Sequence, residues 1–326
     1  MSQSSTIGFD VSKGVRVRIV VAGGTGLIGS AIASEFKKFN HEVISVSRRD
    51  VDLTDGDATR RVIMKLKPHT LVDAAARVGG IGANNSKPVE FLVQNLSIQN
   101  NLMLAAHEAK VSKFIFLASS CIYPRDCPQP IKEANLHTGK LEETNSAYAV
   151  AKIAGIELVN SFRKEFGVPW ISLMPTNLYG PRDNFALEGS HVLPALIRKF
   201  VDAESQKKPD VELWGDGSPL REFCYVDDVA SAVVLAASNY DNELHLNIGS
   251  GQETSVKELA LLIAELSGFK GQIHWDKSKP NGTPRKILDS SRMRSLGWAP
   301  KVPLRDGIRM TIDWYRQALV SGDVRL

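Results

Sequence analysis

Tyr148 and Lys152 stand four residues apart, as Tyr-x-x-x-Lys. On a helix, residues i and i+4 share a face, so the ammonium can lie beside the phenol. A positive charge there favours phenolate and lowers the phenol's pKa, which makes the pair an acid/base near neutral pH. Ser119 precedes them at the end of the apolar run Lys113–Ala118, where a hydroxyl can hold a carbonyl oxygen. Alone, such a Tyr/Lys spacing is an ordinary helix-surface pair. The order of the other motifs lifts it above that.

A second group is the glycine run Gly23-Gly24-Thr25-Gly26-Leu27-Ile28-Gly29, in which Gly23, Gly26 and Gly29 are spaced as GxxGxxG. Between a buried strand and a helix start, such glycines let backbone N–H groups approach a pyrophosphate at the helix N-terminus. Without that context they make a plain turn. The second strand ends in Ser47-Arg48-Arg49. An NAD site would place Asp or Glu there, whereas guanidinium groups suit the 2′-phosphate of NADP. The plain alternative is a solvated charge pair. Asp52 follows, within reach of an adenine.

The elements that must position these residues read as strands alternating with helices. Strands are expected at Val15–Ala22, Glu42–Ser47, Thr70–Ala76, Lys113–Ala118 and Trp170–Met174, and long helices at Val89–Ala109 and Tyr148–Phe166. Ile28, Ile32 and Phe36 mark one face of the helix behind the glycines. Alternation of this kind means βαβ units and a parallel sheet. The expected fold is α/β: a Rossmann-type, doubly wound parallel sheet with a smaller C-terminal α/β substrate domain. After Pro175 the texture changes to loops at Pro175–Asn184, Gly215–Pro219 and Lys277–Pro284, with short helices at His191–Asp202 and Ser255–Ser267. The organisation expected is a tail at 1–14, a dinucleotide-binding domain at 15–175 and a substrate domain at 176–326, with Leu244–Ile248 returning to the first sheet.

Composition agrees. At 326 residues the chain is long enough for two domains, and its net charge of +4 is scattered. That speaks against a basic stripe for nucleic acid and against a polybasic membrane anchor. No apolar run approaches the ~18 residues of a membrane span. Residues 1–14 lack the apolar core of a secretory signal. The three cysteines, Cys121, Cys127 and Cys224, make no disulfide framework, so a reducing, cytoplasmic setting is expected. No metal site is expected.

Together the glycine run, Ser119 and the Tyr148/Lys152 pair resemble the extended short-chain dehydrogenase/reductase family, over nearly the whole chain. A narrower similarity rests on AAARVGGIGANN (74–85), SSCIYP (119–124), YAVAKIAG (148–155), MPTNLYGPRDNF (174–185), SHVLPAL (190–196), REF (221–223) and KPNGTPRK (279–286). These resemble the members of that family that act on GDP-4-keto-6-deoxy-D-mannose. The resemblance implies epimerisation at C3 and C5, then NADPH-dependent reduction at C4, giving GDP-L-fucose. Cys121 matches the family's base and His191 its acid, with Ser119, Tyr148 and Lys152 completing the catalytic set. A thiolate is a competent base where cations surround it, and His titrates near neutrality.

For NADP the resemblance implies contacts from Gly23, Thr25, Gly26, Leu27, Ile28, Gly29, Arg48, Arg49, Ala75, Tyr148, Lys152, Pro175, Asn177 and Leu178. For the sugar nucleotide it implies Ser119, Asn177, His191, Lys199, Trp214, Arg221 as pyrophosphate ligand, and Lys286. Trp214 is expected to serve core packing more than stacking, and Arg198 and Lys199 to lie mostly on a helix surface. Cys127 and Cys224 read as structural. Two departures stand out. The glycine loop lacks a basic residue common in the family, and Lys199 stands where many relatives carry Arg, so the bidentate fork is lost. The long helices resemble those of a four-helix homodimer interface. The alternatives are another nucleotide-sugar epimerase or reductase, such as a 4-epimerase with tightly held NAD, and a non-catalytic NADP-sensing Rossmann protein.

Overall fold

The structure, a computed structural model, describes residues 15–187, 189–279 and 281–326; the tail expected at 1–14 lies outside the described residues. The chain runs β1 (Arg18–Ala22), α1 (Leu27–Lys38), β2 (Glu42–Val46), α2 (Gly56–Leu66), β3 (Thr70–Asp73), α3 (Ile81–Ser86), α4 (Pro88–Glu108) and β4 (Lys113–Leu117). It continues through α5 (Ser146–Phe166), β5 (Ile171–Pro175), β6 (Asn177–Tyr179), α6 (Val192–Ser205), β7 (Asp210–Trp214), β8 (Leu220–Tyr225) and α7 (Val226–Asn239). The last elements are β9 (Leu246–Ile248), β10 (Glu253–Ser255), α8 (Val256–Ser267), β11 (Gln272–Asp276), β12 (Arg285–Lys286), α9 (Ser291–Ser295) and α10 (Leu304–Ser321).

Strand periodicity explains the layers. In β1, Ile19 and Val21 face one side and Val20 and Ala22 the other, and all four are fully buried. A strand buried on both faces needs helices on both faces. On one face Ile19, Val21, Val72, Ile115 and Leu173 pack with Ile32 and Phe36 of α1 and with Val229 and Val233 of α7. On the other, Val20, Leu71, Phe114 and Phe116 pack with Ile63 of α2, Leu102 of α4 and Ile156 and Val159 of α5. The sheet order is β2-β1-β3-β4-β5-β9, with every pair parallel. The chain moves outward from β1 to β2, then crosses to β3 on the other side of β1. That reversal is the place where open α/β sheets bind ligands, beyond the carboxyl ends of the strands.

A third core lies outside this sheet. Tyr179, Phe185, Phe200, Phe223, Leu259, Ile263, Ile312 and Tyr315 join α6, α8, α10 and β8. Around β8 gathers a small mixed sheet: β6 and β12 pair with it in parallel, β10 antiparallel. β7 and β11 form a separate parallel pair.

The strand expected near 244–248 does return to the main sheet, as β9 beside β5. The helix α7 was not foreseen, and it packs on the face of α1 rather than with the third core. Its segment, Val226–Asn239, is so rich in Ala and Val, and so thoroughly buried, that no polar stripe marks a helical period. The loop at Pro175–Asn184 holds β6, whereas Gly215–Pro219 stays a loop between β7 and β8. Among the described residues, no helix is long and apolar enough to cross a membrane, and no His/Cys/Asp/Glu cluster could hold a metal ion.

Candidate active site

The glycine run forms a cradle between β1 and α1. Gly23 has φ +75°, and a Cβ there would lie 2.6 Å from the Ala74 carbonyl oxygen at the end of β3. A Cβ on Gly29 would sit 2.2 Å from the Gly23 carbonyl oxygen, so the helix could not close on the turn. The Gly23 N–H donates to the Val46 carbonyl (2.8 Å), which ties the turn to β2. Gly26 N-caps α1 without a side-chain cap, and the first turn carries no acidic residue. Its N–H groups are therefore left for an anion. Thr25 is exposed, and Leu27 and Ile28 pack against the first core. Ala75 donates its N–H to the Asp73 carboxylate (3.1 Å) beside this turn.

Arg48 and Arg49 are exposed on the turn after β2. Asp50 shapes that turn by accepting from the Ser47 N–H (2.8 Å) and hydroxyl (2.6 Å). The Asp52 carboxylate is engaged by the Thr54 N–H and hydroxyl (3.0 and 2.8 Å).

A second cluster lies past the end of β4. The Ser119 hydroxyl accepts from the Cys121 N–H (3.3 Å), capping a one-turn helix at Ser120–Ile122. The same hydroxyl lies near Tyr148 and favours the charged form of the phenol. The Cys121 Sγ meets the Asn145 side-chain amide at 3.4 Å and the Lys286 ammonium at 3.7 Å. Arg221 lies near enough for the sulfur to act on its charge, and burial lowers its pKa. The fold thus brings Ser119, Cys121, Tyr148, Arg221 and Lys286 together from four separate stretches of chain.

His191 N-caps α6. Its loop docks on the pair Gly79–Gly80: the Gly80 N–H donates to the Gly189 carbonyl (2.8 Å), and a Cβ on Gly80 would lie 2.4 Å from the Ser190 carbonyl oxygen. His191 is exposed at its surface, yet surrounding protein mass holds its imidazole below the usual value. α3, which follows Gly80, packs on the short turn that carries Asn145.

Tyr148 differs from the sequence expectation. Burial pushes its pKa up, the neighbouring Cys121 and Asp73 add to the rise, and the Ser119 hydroxyl opposes it. The Lys152 ammonium does not reverse this, because it donates to the Leu117 carbonyl (2.9 Å) and lies over the Phe116 ring (4.7 Å to the centroid). Burial in turn lowers the Lys152 pKa.

Other expected residues are placed differently. Asn177 donates through its side-chain amide to the Glu222 carbonyl (2.8 Å). Pro175 ends β5 in register with Ile248, and Leu178 packs against the first core. Lys199 is not a free surface cation: its ammonium donates to the Glu212 carbonyl (3.0 Å) on β7. Arg198 likewise donates to the Phe185 carbonyl (3.1 Å) and pairs with Asp202. Trp214 is 63% exposed, not core, with the Lys279 ammonium 5.8 Å from its ring centroid. The alternating in–out pattern of β7 turns it outward. Cys127 and Cys224 stay free thiols, raised in pKa by burial.

Asn145 and Glu222 belong to the site and were not singled out from the sequence. Asn145 sits three residues before Tyr148, at the N-cap of α5. An Asn at a helix start beside the Tyr/Lys pair was the available signal. Buried Glu222 accepts the Gly251 N–H (2.6 Å) and the Leu288 N–H (3.0 Å), tying the strand of Arg221 to the segment of Lys286. Nothing local marks such a long-range anchor.

Comparison with known proteins agrees with this geometry. The model of the NAD dependent epimerase/dehydratase family matches residues 19–249. The chain is 49% identical over 316 residues to GDP-L-fucose synthase 1 of Arabidopsis thaliana, covering 96% of this chain and 98% of that one. It is 43% identical over 308 residues to GDP-L-fucose synthase of Escherichia coli, covering 91% and 96%. A crystal structure of a GDP-L-fucose synthetase from Naegleria fowleri bound to NADP superposes with TM-score 0.87 at 31% identity, covering 95% of each chain. The glycine cradle, the Tyr148/Lys152 pair and these matches agree: the chain belongs to the NAD dependent epimerase/dehydratase family, within the extended short-chain dehydrogenases/reductases.

Proposed function

We propose that this protein is an NADPH-dependent epimerase-reductase that converts GDP-4-keto-6-deoxy-D-mannose to GDP-L-fucose. The observation that carries the reading is the Cys121 corner: a thiol met by an amide and an ammonium, two residues past Ser119, which neighbours Tyr148. A plain reductase has no use for a thiol so placed. The relatives named for this activity match over nearly their full length.

The residues present fit the dinucleotide. Gly23 and Gly29 leave a cradle that a Cβ would fill, and the uncapped start of α1 offers N–H donors to the pyrophosphate. Arg48 and Arg49, exposed after β2, suit a 2′-phosphate. Thr25, Leu27, Ile28, Ala75, Pro175, Asn177, Leu178 and Lys152 complete the expected set. When bound, NADPH supplies the hydride that reduces C4.

The chain's own groups do the rest. The C4 ketone acidifies the protons at C3 and C5. Cys121, as thiolate, removes a proton from one face of the sugar, and His191 returns one to the other, so each centre inverts. Ser119 holds the C4 oxygen. Burial keeps the Tyr148 phenol protonated at neutral pH, which is the state a proton donor to that oxygen needs. Lys152 stabilises the phenolate left behind. Arg221 and Lys286 suit the diphosphate, with Trp214 and Lys199 toward the nucleotide. The protein works as a homodimer, its outward faces of α4 and α5 covering one another, and Cys121 requires a reducing compartment.

The test is direct. Purified protein incubated with GDP-4-keto-6-deoxy-D-mannose and NADPH in deuterated water gives GDP-L-fucose with deuterium at C3 and C5. Recovery of intact substrate, or of a reduced sugar with neither centre inverted, overturns the proposal.

A further inference from the structure

We propose that Asp73 is a positioning residue of the reduction step: its buried carboxylate keeps Lys152 as an ammonium and Tyr148 as a phenol. This rests on the reading of Tyr148 as the proton donor.

The placement follows from register. Asp73 ends β3 and pairs with Phe116 of β4. Side chains of directly paired residues share a sheet face, so the Asp73 carboxylate lies on the face that α5 covers. α5 is pressed tightly onto this spot: a Cβ on Gly155 would meet the Phe116 ring at 2.3 Å. One turn earlier, Lys152 lays its ammonium over that same ring and donates to the carbonyl of Leu117, the next residue of β4. Asp73 is 1% exposed. One carboxylate oxygen accepts the Ala75 N–H, and the other is buried with no hydrogen-bond partner. A buried, half-satisfied carboxylate is costly unless a charge answers it. The ammonium that answers it is Lys152.

The surroundings hold few other charges. α5 presents Lys152 and Tyr148 to Asp73, and Cys121 follows β4. α4, packed on the same face, contributes the uncharged amides Asn95 and Gln99. β1 pairs Ala22 with Asp73, and the glycine run behind it has no titratable side chain.

Burial raises the Asp73 carboxyl to about 6, so above that pH it is anionic. The anion raises the pKa of Lys152, against the burial that lowers it, and raises that of Tyr148. Removing the anion lets both groups lose protons at lower pH. The basic limb of reduction therefore moves to lower pH, while the acid side, where both groups are protonated regardless, stays in place.

Asp73→Asn tests this, because it keeps the shape and an acceptor for Ala75. The first readout needs no turnover: NMR of lysine side chains labelled with ¹⁵N, with the Lys152 signal assigned by its absence in Lys152→Met. The expected result is a Lys152 midpoint lower by about one pH unit or more in Asp73→Asn. The second is the pH profile of NADPH-dependent C4 reduction, whose basic limb moves down with it. An unmoved Lys152 midpoint overturns the proposal, as does a uniform loss of rate at every pH. If Asp73→Asn does not fold, Asp73→Ser is read by the same criteria. If the keto sugar is not reduced even by the wild type, the functional reading fails, while the NMR midpoint still decides whether Asp73 governs Lys152.

Discussion

The cradle behind β1 and the corner around Cys121 solve two binding problems in different materials. The cradle is backbone: glycines, a helix start without a cap, and a turn tied to β2 by main-chain N–H groups. Its partners are the ends of β2 and β3, the two strands that flank β1. The corner is side chains: Cys121 past β4, Asn145 and Tyr148 at the start of α5, Arg221 on β8 and Lys286 on β12, held by further anchors such as Glu222. Backbone sites serve a ligand that varies little, such as a diphosphate. Side-chain sites serve chemistry, where one proton must move at one atom.

The contrast can be broken or sharpened by substitution. The largest effect is expected at the corner: Tyr148→Phe removes the proposed proton donor and should lower C4 reduction by ~10²–10⁴-fold. Stopped-flow loss of NADPH absorbance reads this, and NADPH affinity unchanged in the same variant shows that the cradle does not depend on the corner. Next comes Gly29→Ala, which forces a methyl against the Gly23 carbonyl and costs about 1–3 kcal/mol. NADPH affinity measured by fluorescence titration should fall about tenfold or more. Full affinity would show that the turn yields where the geometry says it cannot.

The third effect concerns stability rather than activity or affinity, and it separates the two regions by pH. Asp183, beyond β6, is buried with one oxygen unpartnered, and burial raises its carboxyl to about 7. Its folded pKa lies above its unfolded one, so its cost to folding is absent below about pH 4 and complete above about pH 7. Asp183→Asn should therefore raise the melting temperature at pH 8 and make little difference at pH 4. The ceiling is about 4 kcal/mol, from a displacement of 7 − 3.8 at 1.36 kcal/mol for each unit. Equal melting of variant and wild type at pH 8 would show that Asp183 is answered by its neighbours. The cradle has no titratable side chain, so its own stability should not follow pH in this way.

Much of the first core was legible because strands such as β1 and β4 declare themselves by continuous apolar runs bounded by glycine or serine. α7 was not, since an Ala/Val segment buried nearly all round shows neither period. Ser119, Tyr148 and Lys152 could be read because the spacing that matters is local. Asn145, Asp73 and Glu222 escaped because what makes them matter is register and long-range hydrogen bonding: Asp73 gains meaning only once Phe116 is known to lie across from it. Trp214 was misplaced because an aromatic reads as core by type, whereas its parity in β7 puts it with Asp210 and Glu212 on the outward face, opposite Val211 and Leu213.

The return of β9 to the main sheet has a practical corollary. The chain leaves the sheet after β5, comes back through α7 and β9 and then departs again. The half built on the third core, the proposed sugar side, is therefore not a cassette. A chimera that grafts a relative's version of it onto the main sheet must splice at three junctions, near Thr176, Val226 and Gly249. A single crossover would leave α7 and β9 of one parent facing α1 and β5 of the other, so the donor and host must be matched along that inner seam before any change of substrate can be read.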